Sequence, residues 1–192
     1  MSNDFAGEAP RVNPASDTAP GGLELVRSFE NTVELPNGPD RLASVDEAAQ
    51  WCLSYGLPPV TGPAELQRLR EFREALRDVL FANNGEGELH AAWEGLRPFV
   101  SAAHLTLTVD GSRGLELRAA ERERRGAIAT LLVAVHESLL DGSWRRLRAC
   151  RKASCRWAYY DHTKNGSRAW CSMATCGNQA KAQRRRERER AR

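Results

Sequence analysis

Cys150-Arg-Lys-Ala-Ser-Cys155, followed after fifteen residues by Cys171-Ser-Met-Ala-Thr-Cys176, is the stretch that decides how the C-terminal part of this 192-residue chain folds. Two cysteine pairs, each spaced C-x4-C, can set four thiolates tetrahedrally around one zinc ion at about 2.3 Å without a pre-existing core. Two disulfides or an iron–sulfur cluster would use the same four side chains. No export-type apolar run precedes them, so a reducing compartment is expected, where paired cysteines more often bind metal; zinc is the favoured reading. Trp157, Tyr159, Tyr160 and Trp170 supply a miniature core, and Asn165-Gly166 predicts the turn of a short hairpin. Four thiolates satisfy the metal, which leaves His162 as an exposed loop residue.

Charge divides the chain at about the same place. Residues 142–192 hold 15 Lys+Arg against 3 Asp+Glu, and residues 1–141 hold 13 against 22. A basic segment attracts phosphate polyanions, and an acidic one does not share that task. Beyond Cys176 the run 179–191 has high helix propensity without Pro or Gly, with Asn178 as the expected N-cap. Lys181, Arg184, Arg185, Arg188 and Arg192 then share one face at i, i+3, i+4 and i+7 spacing. Arg156, Lys164 and Arg168 are the loop residues expected to add phosphate contacts, which give affinity rather than sequence choice.

The first twenty residues lack apolar periodicity and read as a disordered leader. A helix is expected from Leu23 through Val26 and Phe29, ended by Pro36-Asn37-Gly38-Pro39. Ser44 and Glu47 form a capping box ahead of Ala48, Trp51, Cys52 and Tyr55, with Cys52 a buried apolar residue. A long helix over 63–82 buries Leu66, Leu69, Phe72, Leu76, Val79 and Leu80 and pairs Arg70 with Glu74. A further helix over 87–99 ends at Pro98. The period then changes to two: Leu105, Leu107 and Val109, a turn over Asp110–Gly114, then Leu115 and Leu117 make one β-hairpin. A last helix runs from roughly 121 to 140. The expected fold is therefore α+β: a leader (1–21), a mostly helical domain with a small hairpin (22–142), and a zinc-finger module with a terminal basic helix (143–192).

The run Trp170–Arg190, WCSMATCGNQAKAQRRRERER, resembles the C-terminal signature of CGNR zinc-finger proteins, with Gln179 where that signature carries its arginine. Upstream, SFENTVELPNGPDRL (28–42), with Phe29, Asn31, Thr32 and Asp40, is similar to the start of the ABATE domain that usually precedes this finger. The resemblance implies a stress-induced transcriptional regulator whose zinc ligands are Cys150, Cys155, Cys171 and Cys176. No phosphate-binding glycine loop, H-E-x-x-H, G-x-S-x-G or spaced carboxylate pair is present, so no catalysis is expected. No stretch reaches the roughly 20 apolar residues of a membrane span. The expectation is a cytoplasmic regulator whose finger binds duplex DNA. Its first domain would dimerise or sense a small-molecule effector, with Phe29, Asn31 and Thr32 the first place to seek a pocket. A non-enzymatic adaptor binding RNA or protein is the alternative.

Overall fold

A computed structural model describes residues 17–112, 114–119 and 126–191. Most of the expected leader (1–16), Arg113, residues 120–125, where the last helix of the domain was expected to begin, and Arg192 lie outside the described residues. The leader's final residues are tied down: Asp17 and Ala19 are buried, and the Ala19 amide donates to Glu24 Oε2 at 2.8 Å.

Helix α1 (Leu23–Glu30) turns Leu23, Val26 and Phe29 inward at their expected spacing. Helix α2 (Val45–Ser54) starts on the capping box, where Ser44 Oγ accepts from the Glu47 amide at 3.2 Å and donates to its carboxylate at 2.8 Å. Helix α3 (Pro63–Asn83) buries its six expected apolar residues. Its expected Arg70 to Glu74 pair does not form. Arg70 instead donates to the carbonyls of Leu42 and Ala43 at 2.7 and 2.6 Å, and Glu74 pairs with Arg73 and Arg77. A guanidinium fork satisfies loop carbonyls that lack a ladder partner, and such bonds outweigh an exposed ion pair.

The helix expected over 87–99 is two: α4 (Leu89–Gly95) and α5 (Arg97–Ala102). Pro98 has no amide to extend the first helix, and its fixed φ suits the first turn of a second one, so it opens α5 rather than ending α4. Strands β1 (Leu105–Asp110) and β2 (Gly114–Ala119) pair antiparallel, Leu107 opposite Leu117, and α6 (Ala127–Leu140) follows. The C-terminal part contributes β3 (Leu147–Ala149), β4 (Ala158–Tyr160) and α7 (Asn178–Arg190). The fold is α+β, mostly helical, with two small two-stranded sheets. No helix among the described residues is long and apolar enough to cross a membrane.

Phe29 is fully buried against Trp51 and Phe72, ring centroids 5.6 and 5.7 Å away, and Phe72 meets Phe99. Leu147, Ala149, Ala158 and Tyr160 belong to this same core, and Trp144 packs on Trp93. So β3 and β4 are built onto the first domain, because some fifty residues with few aliphatic side chains cannot bury a core of their own.

Polar groups seal the join. Asn31 brackets the Ala158 backbone, donating to its carbonyl and accepting from its amide, both at 2.8 Å. Asn84, just past α3 and 2 % exposed, places its amide nitrogen 2.8 Å from Ala149 O, 2.9 Å from Ala169 O and 3.1 Å from Tyr159 Oη. Arg151 donates back to the Asn84 carbonyl at 2.8 and 2.6 Å. Arg77, also buried, donates to the carbonyls of Glu30 and Arg156.

Glu30 is fully buried beside Arg77, yet their nearest charged atoms are 3.6 Å apart and neither carboxyl oxygen receives a donor. Burial therefore outweighs Arg77's attraction and lifts Glu30 from the ordinary 4.5 to about 8. Between those values the folded chain holds a proton that the unfolded chain has released, so stability falls as pH rises through that window. Thermal unfolding should show this decline in the wild type and a flatter profile in Glu30→Gln, whose melting temperature gains on the wild type toward pH 8.

Candidate metal centre and basic surface

The two cysteine pairs reach their positions by different local devices. Antiparallel β3 and β4 flank the first pair, and a knuckle joins them: the Cys150 amide donates to Trp157 O at 3.0 Å and the Cys155 amide to Lys152 O at 2.8 Å. Arg156 leaves the knuckle at φ 46°, a left-handed conformation that turns the chain back along β3. The hairpin expected at Asn165-Gly166 is thus centred on the cysteine knuckle instead. Asn165-Gly166 lies in a loop held by the buried Asp161, whose carboxylate accepts from the Thr163 amide, Thr163 Oγ1 and the Arg168 amide. These bonds, with Arg148 nearby, hold the Asp161 carboxyl below its ordinary range against the opposing effect of burial.

In the second pair, Cys176 sits on a π-type turn, Met173–Gly177, that runs directly into α7, and Cys171 lies just ahead of that turn. Ser172 Oγ accepts from the Thr175 amide, and Asn178 has helical dihedrals, so it is not the N-cap expected of it. A Cβ at Gly177 would lie 2.6 Å from Met173 Sδ and 3.3 Å from Trp170 Cδ1, so a larger residue there would displace the half-exposed methionine side chain.

All four sulfurs lie within 4.8 Å of one another, and all four cysteines are buried. Cys155 to Cys171 is 3.6 Å and Cys171 to Cys176 is 3.7 Å. A tetrahedron of 2.3 Å zinc–sulfur bonds has edges of about 3.8 Å, whereas a disulfide bond is about 2.05 Å. The geometry fits one ion, excludes two disulfides and is too tight for a multi-iron cluster. Crowding sets the thiols against each other: the bond with Cys155 draws Cys150 down to about 7 and the bond with Cys150 draws Cys176 down, while bonds with Cys150 push Cys155 and Cys171 up. Four adjacent thiolates need a central cation. Trp157 and Trp170 pack against the cluster and Tyr159 lies wholly beneath it, so these aromatics build the module. Cys52 is buried in the main core, and burial lifts its thiol to about 11.

The expected nucleic-acid contacts separate into two groups. Arg156 pairs with Asp78 and stacks 4.7 Å over Phe81. Arg168 pairs with the buried Asp17, donates to the carbonyls of Trp170 and Cys171, and lies 4.6 Å over Tyr159. Both are occupied in holding the module together, because each fork fills carbonyls or carboxylates that a core-poor fold leaves open. Lys164, Lys181, Arg184, Arg185 and Arg188 are exposed, and the last four line one groove along α7 with Glu189. Arg185 pairs with Glu189 at 2.8 Å. Gln179 accepts from Lys152 Nζ at 2.5 Å and so ties α7 to the knuckle. His162 is exposed and donates to Thr18 O.

Phe29, Asn31 and Thr32 have structural partners: Phe29 is core, Asn31 holds Ala158, and Thr32 Oγ1 donates to Phe29 O and accepts from Arg73. A separate cleft of about 130 Å³ lies between α3, α5 and α6, lined by Leu69, Phe99 and Ile128 with Arg68 among its polar groups. It is smaller than the roughly 300–1,000 Å³ of ordinary ligand pockets. Sequence reading missed Asn84, Asp161 and Asp17. Asn83-Asn84-Gly85 signalled only a helix stop, and nothing local distinguishes a terminating asparagine from one that joins two segments.

A four-cysteine cage, docked on a helical α+β domain and launching a basic helix, defines a two-part zinc-finger protein. The chain belongs to the ABATE family, described as "Putative stress-induced transcription regulator", whose model matches residues 22–142, and the CGNR zinc finger matches residues 146–189. No curated protein matches the chain.

Replacing Asn84 by Ala should cost about 2–4 kcal/mol in chemical denaturation, because the carbonyls of Ala149 and Ala169 lose their donor. Amide exchange should accelerate in β3 and at the end of α3 together.

Proposed function

We propose that the protein is a DNA-binding transcriptional regulator whose Cys150, Cys155, Cys171 and Cys176 hold one zinc ion and whose α7 lies against duplex DNA. The observation that carries this reading is the placement of α7. It leaves the cage directly after Cys176, buries no residue along Asn178–Arg190, and keeps Lys181, Arg184, Arg185 and Arg188 clear of the body of the protein. A helix of this width fits the major groove, and cations spaced along one face can meet successive phosphates.

Zinc supplies the charge that lets four buried thiolates coexist, and thereby fixes the direction in which α7 departs. Lys164 adds a further exposed cation on the loop side. Arg156 and Arg168 serve the interaction indirectly, by setting the knuckle and the loop. The N-terminal domain acts as a non-enzymatic platform that assembles the regulator or receives its signal in the cytoplasm.

Purified protein should carry one zinc per chain. Cys155→Ser should lose it and, since β3 and β4 share the main core, loosen α3 as well as the finger. Metal content equal to wild type would remove the cage from the scheme. Exchange of Arg184, Arg185 and Arg188 for Ala should leave zinc bound, weaken duplex binding at least tenfold at moderate salt, and lower the salt slope by about 2 to 3. Unchanged affinity would exclude α7 from the interface, and preference for single-stranded RNA over duplex DNA would favour the adaptor reading.

A further inference from the structure

Cys171 is the cysteine of the cage with the least local support. Cys150 and Cys155 ride on the knuckle between β3 and β4, and Cys176 on the turn that opens α7, whereas residues 161–172 belong to no helix or strand. A ligand carried by irregular chain holds its metal only as firmly as the groups that brace it. Bracing groups of this kind are worth about 10- to 100-fold in metal affinity.

Arg168 is the brace. Its amide donates to Asp161 Oδ2 at 2.9 Å, and its carbonyl accepts from Tyr159 Oη at 2.6 Å and from Arg148 Nη1 at 3.2 Å. Its guanidinium reaches forward along the chain, Nε donating to Trp170 O at 2.9 Å and Nη2 to Cys171 O. The same fork is gripped from outside the finger. Nη1 and Nη2 each donate to one oxygen of the Asp17 carboxylate, which lies 151 residues earlier and is only 1 % exposed. Asp17 is held in its turn, because Thr18 O accepts from His162 Nε2 at 2.9 Å and the buried Ala19 donates to Glu24 in α1. A carboxylate is buried at little cost only where a cation meets it, and the cation here is Arg168.

We infer that Asp17 is a positioning residue for the zinc cage: by fixing the Arg168 fork it holds the Cys171 backbone where the metal needs that sulfur, so the segment ahead of α1 sets how tightly the finger keeps its zinc. This rests on the zinc reading proposed above. Without Asp17 the fork, already 23 % exposed, turns to water and leaves the carbonyls of Trp170 and Cys171 without their donor. Cys171 then loses its fixed place, and zinc is held by three well-placed thiolates and one loose one.

Competition of the full-length protein against a chelator of known zinc affinity tests this. Asp17→Asn keeps the shape but sets an NH2 group against the fork, and should weaken zinc binding about tenfold. The sign is diagnostic. An anion near a net-negative zinc–thiolate cage opposes it, so removing that charge tightens zinc if charge alone decides. Arg168→Lys keeps its charge but loses the fork and should weaken zinc as much, and the double variant should be no weaker than either single one. Leu66→Ala, at the opposite end of α3 from Asn84, should lower the melting temperature without moving zinc affinity. Zinc held equally or more tightly by Asp17→Asn, additive losses in the double variant, or an equal loss in Leu66→Ala overturns the assignment. A wild type devoid of zinc sinks the cage and this inference with it; a zinc-loaded wild type matched by its Asp17 variant sinks this inference alone.

Discussion

The segment from Trp144 to Gly177 must dispose of its backbone polar groups with almost no sheet or helix to absorb them. Its two three-residue strands account for few of them. Side chains meet others: Asn84 reaches in from the end of α3 to Ala149 and Ala169, and within the segment Arg146 donates to Asp161 and Thr163 and Arg168 to Trp170 and Cys171. A buried carbonyl without a donor costs about 1–3 kcal/mol, so this network is a condition for the fold. The cysteine cage tightens the same segment from its other side, and each device needs the other to hold its ligands in place.

That dependence changes what the basic residues mean. A count of positive charge in the C-terminal part suggests a broad phosphate-binding surface, but much of it is turned inward. Arg148 sits beside Asp161, Arg151 holds Asn84, Arg156 holds Asp78 and Arg168 holds Asp17. Arginine suits the task because its planar fork reaches two acceptors at once and stays charged when half-buried. The fully exposed charge of this part lies on α7 and at Lys164 and Arg145. In the proposed regulator, recognition rests chiefly on the helical stripe of α7.

The first domain likewise serves the finger. The helix stop at Asn83-Asn84 and the turn at Asn31 meet the finger's strands directly, and Arg77 reaches both Glu30 and Arg156. A change of shape around α1 and the end of α3 therefore bears on the knuckle that carries Cys150 and Cys155. The hairpin of β1 and β2 projects with its apolar face largely uncovered.

The α+β class, the four cysteines, the capped start of α2, the core stripe of α3 and the basic stripe of α7 were legible in the sequence, because each depends on spacing along the chain: 2.0 or 3.6 residues per repeat, or the short reach between paired thiols. Where residues met across long separations, the chain alone was silent. The ion pairs that Arg156 and Arg168 make with Asp78 and Asp17, the capture of Asp17 from the expected leader, the shift of the hairpin from Asn165-Gly166 to the cysteine knuckle, and the joint made by Asn84 were decided by the tertiary structure. Hydrogen-bond partners there are chosen by which carbonyls remain open after packing, and that is a property of the folded whole.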